Sequence, residues 1–400
     1  MKFSGRIEAC SLSPIRKFHP SMVAAQAKGR KVYHLNIGQP DVETPRAFFD
    51  AVGAFGEKVL AYAPSPGIES YLDAVRKYYC GLGFDVTNDD ILATFGGSEA
   101  LQIVLSCILE EGEEILVAEP FYPNYTTFVN VTGAKIRPIP TSPEEGYRFA
   151  SRERIEPLIN EKTRAIMVTN PGNPTGVVLS REEMRTLVDI AKEHDLFLIG
   201  DEVYRELVYG GEEMQSFLQF TDAPENIIVI DSVSKRFSAT GARVGAILSR
   251  NHELLGHAMK ICQGRLCAAT LDQIGSAALY EEMTPAYYEQ VRAQYHSRRD
   301  TVVESLKKIP DVKFSTPEGA FYLMVTLPVD DAEKLQYFLL EEFEDKGDTV
   351  MYAPGEGFYA TPGKGKNEIR IAYVTCEEDL RRSIELLGLG IAAYNKKRGV

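Results

Sequence analysis

Short apolar runs alternate with longer stretches of helical spacing along most of the chain. The run Ile227 to Ile230 is β-branched and lacks polar alternation, which marks a strand buried on both faces. Similar runs predict strands over Glu114 to Ala118, Ala134 to Ile139, Arg164 to Thr169 and Leu196 to Gly200, with helices starting at Tyr122, Ser151 and Ser180 between them. Ser180-Arg-Glu-Glu183 reads as a capping box opening the third of these helices. Upstream, a helix is predicted over Ser70 to Gly81, followed by a short strand at Ile91, a double glycine and a helix to Glu110. Strand and helix in alternation give an α/β fold, a mostly parallel sheet with helices on both faces. One large domain is therefore expected over residues 45–285.

Beyond Asn251 the pattern changes to long helices: Asn251 to Cys262, Leu271 to Glu282 and Pro285 to Lys308, the last expected to link two domains. Strands then read at Val312 to Ser315, Phe321 to Thr326, Val350 to Ala353 and Glu368 to Val374, with helices over Asp331 to Lys346 and from Glu377. This segment, residues 286–400, is read as a smaller α+β unit. It is paired with the N-terminal arm, residues 1–44, whose Pro20, Gly29, Gly38 and Pro40 divide it into pieces too short to fold alone.

Composition narrows the function. A chain of 400 residues with 44% hydrophobic and 25% charged residues is an ordinary globular protein, and its length favours two domains. A formal net charge of -13 argues against nucleic acid or an anionic membrane as partner, since both need a basic face. The N-terminus lacks the apolar core of a signal peptide, and no apolar run approaches the ~20 residues of a membrane span, so a cytoplasmic location is expected. The six cysteines are scattered without a CxxC pair and read as reduced thiols. His252 and His257 are spaced i to i+5, wrong for a zinc-binding helix, and Gly357 to Lys364 lacks nucleotide-loop spacing, so no metal is expected.

Candidate chemistry gathers at predicted strand ends, where open α/β sheets bind ligands. The segment after Ile230 is rich in Ser, Thr and Gly, a poor helix and a poor strand, so Lys235 is expected on a loop. Arg243 follows between Gly241 and Gly245, with the hydroxyls of Ser232 and Ser234 nearby. A lysine amine that forms a Schiff base and a guanidinium that grips phosphate oxygens suit a ligand bearing an aldehyde and a phosphate. A solvated Ser/Lys loop is the plainer alternative. The glycine turn at Gly97-Ser98 feeds a helix N-terminus, which offers free N–H groups to a phosphate. Asp201 ends a buried run and needs a partner. Arg370 interrupts an apolar strand, either at a surface edge or as a carboxylate clamp.

Ser232-x-x-Lys235 with Arg243 resembles the cofactor-lysine motif of the fold-type I, pyridoxal-phosphate-dependent aminotransferases of class I/II, the aspartate aminotransferase-like group. Asn170-Pro-Gly-Asn173-Pro174-Thr-Gly176 is a long match to the same family, and six motifs stand in family order over residues 38–370. The resemblance implies pyridoxal 5′-phosphate as cofactor. It implies that Gly97, Ser98, Ser232, Ser234 and Arg243 hold its phosphate, Asp201 its ring nitrogen, and Asn173 and Tyr204 its phenolic oxygen. Tyr122 would stack on the ring where relatives often carry tryptophan, Gly38, Asn173 and Arg370 would meet the substrate carboxylate, and Tyr62 would reach the phosphate of a neighbouring subunit. Active sites shared within a homodimer follow from that last implication.

The implied reaction is a ping-pong transfer of an amino group from an L-amino acid to a 2-oxo acid, with Lys235 as the base and Asp201 and Tyr204 supporting the ring. The substrate is open between an aspartate/2-oxoglutarate type and others. Ser98 stands where some aspartate-specific relatives use lysine, leaving Arg16, Arg265 or a partner residue for a second carboxylate, and Ala242 stands where many relatives have tryptophan. The alternatives are a β-eliminating lyase on the same fold and a non-catalytic aminotransferase-like sensor.

Overall fold

A computed structural model describes residues 1–209 and 215–400. Among these, the strands in chain order are β1 (Lys31–His34), β2 (Ile91–Thr94), β3 (Glu114–Glu119), β4 (Lys135–Pro140), β5 (Thr163–Thr169), β6 (Phe197–Asp201), β7 (Ile227–Ser232), β8 (Gly245–Ser249), β9 (Tyr322–Thr326), β10 (Asp348–Met351), β11 (Ala353–Pro354) and β12 (Glu368–Ala372). Seven of them form one sheet in the order β2-β8-β7-β6-β5-β3-β4. Strands β3 to β7 run parallel, while β8 is antiparallel to both β2 and β7. The fold is thus the mostly parallel α/β sheet expected from the alternation.

Every residue of β7 is buried, which is why its sequence shows no polar alternation. Its side chains still divide by face. Ile228 and Ile230 pack with Leu101 and Val104, whereas Ile227 and Val229 pack with Val188 and Phe217. From β3 the chain moves outward to β4 and then back across to β5 and β6, so the connections change direction beside β3. Such a reversal opens a crevice at the carboxyl ends of the strands.

The N-terminal and C-terminal parts of the chain meet in a second region. β1 pairs in parallel with β10, and β11, β12 and β9 form an antiparallel sheet. A separate core, including Leu35, Tyr295, Leu323, Ile371 and Leu387, fills this region.

Several local expectations change. β8 has no counterpart among the expected strands: all five of its residues are buried, and it pairs with both β2 and β7. Lys235 lies on a helical turn, Val233–Arg236, and not on a loop, because the Ser232 side chain caps the turn by accepting the Ser234 N–H. Val312 to Ser315 forms a single bridge, Lys313 to Thr326, in place of a strand. The helix expected to Lys346 ends at Glu341, and the Val350 to Ala353 strand is shared between β10 and β11. The capping box forms as read, with Ser180 and Glu183 exchanging hydrogen bonds.

Candidate active site

The carboxyl ends of β5, β6 and β7 open onto a cavity of about 650 Å³ that also touches the N-terminal arm and β12. Although the chain carries a net charge of -13, the charged residues lining this cavity are Arg16, Lys235, Arg243 and Arg370 against one carboxylate, Asp201. Such a local excess of cations in a low-dielectric pocket attracts an anionic ligand.

Lys235 enters from its helical turn and donates from Nζ to the Gly38 carbonyl at 2.8 Å. Enclosure, then the nearby Arg370 and Arg243 charges, push its amine down to about 8, with Asp201 opposing. Asp201 is buried at the end of β6, where its carboxylate accepts from the Tyr125 hydroxyl at 2.5 Å and the Val203 N–H at 3.5 Å. Burial pushes its carboxyl up to about 6. Among the described residues it has no ion-pair partner, so its direct contacts are neutral donors, with Lys235 acting on it only at longer range. A protonated pyridine N–H fits such a carboxylate in charge.

Arg370 is buried in β12 and likewise faces no carboxylate among the described residues. Its guanidinium donates to the Asn36 carbonyl at 2.7 Å and to Asn173 Oδ1 at 3.1 Å, stands 4.4 Å from the centre of the Tyr322 ring, and leaves Nε without a hydrogen-bond partner. A two-oxygen anion satisfies such a fork. Asn173 Nδ2 reaches toward the Tyr204 hydroxyl at 3.5 Å, and that hydroxyl lies 3.1 Å from the hydroxyl of Tyr322. Gly38 must be glycine, because a Cβ there would fall 1.8 Å from the Tyr322 oxygen.

The other end of the cavity is built from backbone. The helix Gly96–Ile108 begins there, with Gly97 and Ser98 on the cavity wall. A Cβ on Gly96, whose φ is +75°, would meet the Arg243 guanidinium at 2.7 Å, and one on Gly245 would meet Gly96 Cα at 2.9 Å. Arg243 itself takes a left-handed conformation, φ 53°, and donates to the Thr240 carbonyl of its own turn at 3.0 Å and to the Phe95 carbonyl at the start of this helix at 3.5 Å. Ser232 and Ser234 are joined through their hydroxyls at 2.8 Å on the same wall. Free helix N–H groups, two hydroxyls and an arginine together form a cradle for a phosphate dianion.

Tyr122 lines the cavity, with its hydroxyl accepting from Asn124 at 2.7 Å and its ring edge-on to Tyr125. Tyr62 is elsewhere on this chain, 79% exposed and away from the cavity. Of the two arginines considered for a second carboxylate, Arg16 is exposed and lines the cavity, whereas Arg265 lies outside it, tied to Glu99 at 2.9 Å and the Ala93 carbonyl at 2.6 Å. Among the cavity residues to which sequence reasoning gave no role are Asn36, Tyr125 and Tyr322. Tyr125 was the findable one, since a buried Asp201 needs a donor and Tyr125 lies in the first turn of the short helix Asn124–Asn130 that follows β3.

Among the described residues no helix is long and apolar enough to cross a membrane, and no cluster of His, Cys, Asp and Glu is arranged to hold a metal ion.

Comparison with known proteins agrees with this geometry. The family profile described as aminotransferase class I and II matches residues 30–387. An aspartate/prephenate aminotransferase of Thermus thermophilus is 31% identical over 388 residues, covering 96% of this chain and 97% of the relative. An aromatic-amino-acid aminotransferase of Thermococcus litoralis is 30% identical over 96% of this chain and 97% of its own. Among solved structures, an aspartate aminotransferase of Thermus thermophilus in single-mutant form superposes with a TM-score of 0.89 at 28% identity, covering 98% of this chain and 100% of that one.

Proposed function

This chain belongs to aminotransferase class I and II, and from that premise we propose how its residues divide the work of moving an amino group from an L-amino acid to a 2-oxo acid. The protein is a pyridoxal-phosphate-dependent transaminase of fold type I; its relatives carry transaminase names, and the lyase alternative is not favoured. Bound pyridoxal phosphate supplies an aldehyde to condense with amines and an electron-poor ring that accepts the charge left when the substrate α-proton departs.

In this assignment Lys235 holds the cofactor at rest and carries the proton when freed. Its amine, lowered to about 8, is close enough to neutrality to act as a base at physiological pH. Asp201 keeps the ring nitrogen protonated. Asn173 and Tyr204 hydrogen-bond the phenolic oxygen, and Tyr122 packs against the ring. Gly97, Ser98, Ser232, Ser234 and Arg243 hold the phosphate. Arg370 grips the substrate carboxylate, with Gly38 and Asn173 beside it. The observation that carries the assignment is the convergence of Lys235, Asp201 and Arg370 on one cavity, with no carboxylate committed to Arg370 and no cation to Asp201 among the described residues.

The homodimer remains part of the proposal, with Tyr62 serving the neighbouring subunit; its exposure and that of Val59 and Leu60 on the same loop support this role. A cytoplasmic location and the division into 45–285 and 1–44 with 286–400 belong to the same reading. For the substrate, Arg16 at the mouth of the cavity suits a second carboxylate on a dicarboxylic amino acid. The relatives are named for aspartate, prephenate and aromatic amino acids, so the direct test is to offer the loaded enzyme single amino acids and follow loss of the lysine-bound absorbance. Dicarboxylic donors are expected to react fastest. A preparation that cannot be reconstituted with pyridoxal phosphate overturns the assignment.

A further inference from the structure

Behind the sheet, on the side away from the cavity, lies a buried polar cluster that does not line the cavity. We propose that Asp231 and Arg236, locked to Tyr79 and Tyr280, are positioning residues that fix the direction in which Lys235 enters the active site. The inference rests on the assignment of Lys235 as the reactive amine.

Asp231 and Arg236 bracket Lys235 at the end of β7. Neighbouring residues on a helical turn project about 100° apart, so with Lys235 in the cavity Arg236 is driven to the other side, where it is 2% exposed. Its guanidinium meets both oxygens of Asp231, at 3.0 and 2.9 Å, and donates to the Tyr280 hydroxyl at 2.8 Å. The Tyr79 hydroxyl donates to Asp231 at 2.9 Å, as does the Ser232 N–H at 2.7 Å. The strand before the lysine and the residue after it are therefore clamped to the same two helices, Glu69–Gly81 and Thr270–Glu282.

The neighbouring strand repeats the arrangement. Asp201 faces the cavity while the next residue, Glu202, faces backward and pairs with Arg205 at 3.5 Å. Arg205 lies 4.7 Å from the centre of the Tyr79 ring, so the supports of Asp201 and Lys235 share one tyrosine.

A buried ion pair is weak ground for stability, because desolvation offsets most of the attraction, and its better-attested use is to specify one arrangement. The pair is neutral in sum, and the influences on Lys235 come from enclosure, Arg370, Arg243 and Asp201, not from Arg236. The brace thus acts through geometry. Small losses of alignment at a reacting centre have large kinetic effects.

The test compares holoenzymes of wild type, Arg236→Lys and the doubly neutral Asp231→Asn/Arg236→Met, which leaves no lone buried charge if a single change fails to fold. Each is assayed for kcat and KM with one good donor, for the pH midpoint of the lysine-bound cofactor absorbance, and for Tm. The expected result for the double variant is a kcat loss of about tenfold or more with KM within about twofold. Its absorbance midpoint should move upward, as the Lys235 nitrogen gains water that favours its charged form. Arg236→Lys should fall between. A folded double variant with unchanged kcat and midpoint, whatever its Tm, overturns the brace. Borohydride reduction of the wild type that fails to mark Lys235 overturns instead the assignment on which it rests.

Discussion

The two faces of the strand ends that carry Asp201 and Lys235 are built on opposite terms. On the cavity face, Asp201 has neutral donors only, Arg370 rests on a carbonyl and an amide, and Lys235 on a carbonyl. On the rear face, Arg236 meets Asp231 and Arg205 lies 3.5 Å from Glu202, with tyrosine hydroxyls bonded to Asp231, Arg236 and Arg205, although Arg236 Nε, Arg205 Nε and Glu202 Oε2 have no hydrogen-bond partner among the described residues. Charges held apart from opposite charge are expensive inside a protein, and they persist where a ligand completes them. The difference separates buried charges that the proposed cofactor and substrate would complete from those already paired within the protein.

Four substitutions on the cavity face sharpen that contrast, and the largest effect belongs to Lys235→Ala. Removing the proposed proton carrier is expected to lower the rate of conversion to the aminated cofactor by about four orders of magnitude or more, read by stopped-flow absorbance. Survival of more than a few per cent of the rate would assign the proton transfer elsewhere.

Asp201→Asn comes next, with a loss near a thousandfold in kcat expected from removing the charge opposite the ring nitrogen. The same change has the reverse effect on the cofactor-free protein. Because Asp201 is raised from 3.8 to about 6, the folded chain keeps a proton that the unfolded chain has released over that interval. Its stability contribution therefore declines as pH rises from 4 to 6 and stays low above. Relative to wild type, the asparagine variant should gain up to about 3 kcal/mol across this window in the absence of cofactor, measured by denaturant unfolding at each pH. A constant difference would mean that Asp201 is not held neutral by burial.

Arg370→Lys keeps the charge and discards the fork. A fall of about a hundredfold in kcat/KM for amino acids is expected, with the cofactor spectrum unchanged. Arg16→Ala is the mildest: at an exposed site, about fivefold in kcat/KM for dicarboxylic donors and no change for monocarboxylic ones. Equal losses for both classes would remove Arg16 as the second-carboxylate contact.

Much of the molecule was legible before its structure. The parallel core was readable because strands buried on both faces must be uniformly apolar, as Ile227 to Ile230 are. Lys235, Asp201 and Arg370 stood out because charges beside or within apolar runs need a reason. What sequence hid depends on contacts between distant segments. β8 was hidden because Gly245–Ser249 is too short and small to declare a strand without its neighbours β2 and β7. Tyr322 looked like one more core aromatic in β9, and only the approach of Gly38 from the N-terminal arm brings it against Tyr204. The Ser232 cap likewise turned an unpromising Ser/Lys stretch helical, because propensity yields to a local hydrogen bond.

The crowding of Gly96 against Arg243 and of Gly245 against Gly96 bears on how this molecule can change through mutation. At that end of the cavity two glycines are crowded by main chain and by Arg243, so adding even a methyl group at Gly96 or Gly245 meets backbone or guanidinium at under 3 Å. The cavity wall also includes Ser13, Ile15 and Arg16 of the N-terminal arm, side chains that belong to no strand of the seven-stranded sheet. Heritable variation is thereby channelled: the crowded glycine positions are nearly closed to stepwise revision, and the arm side chains that line the cavity are left open to it.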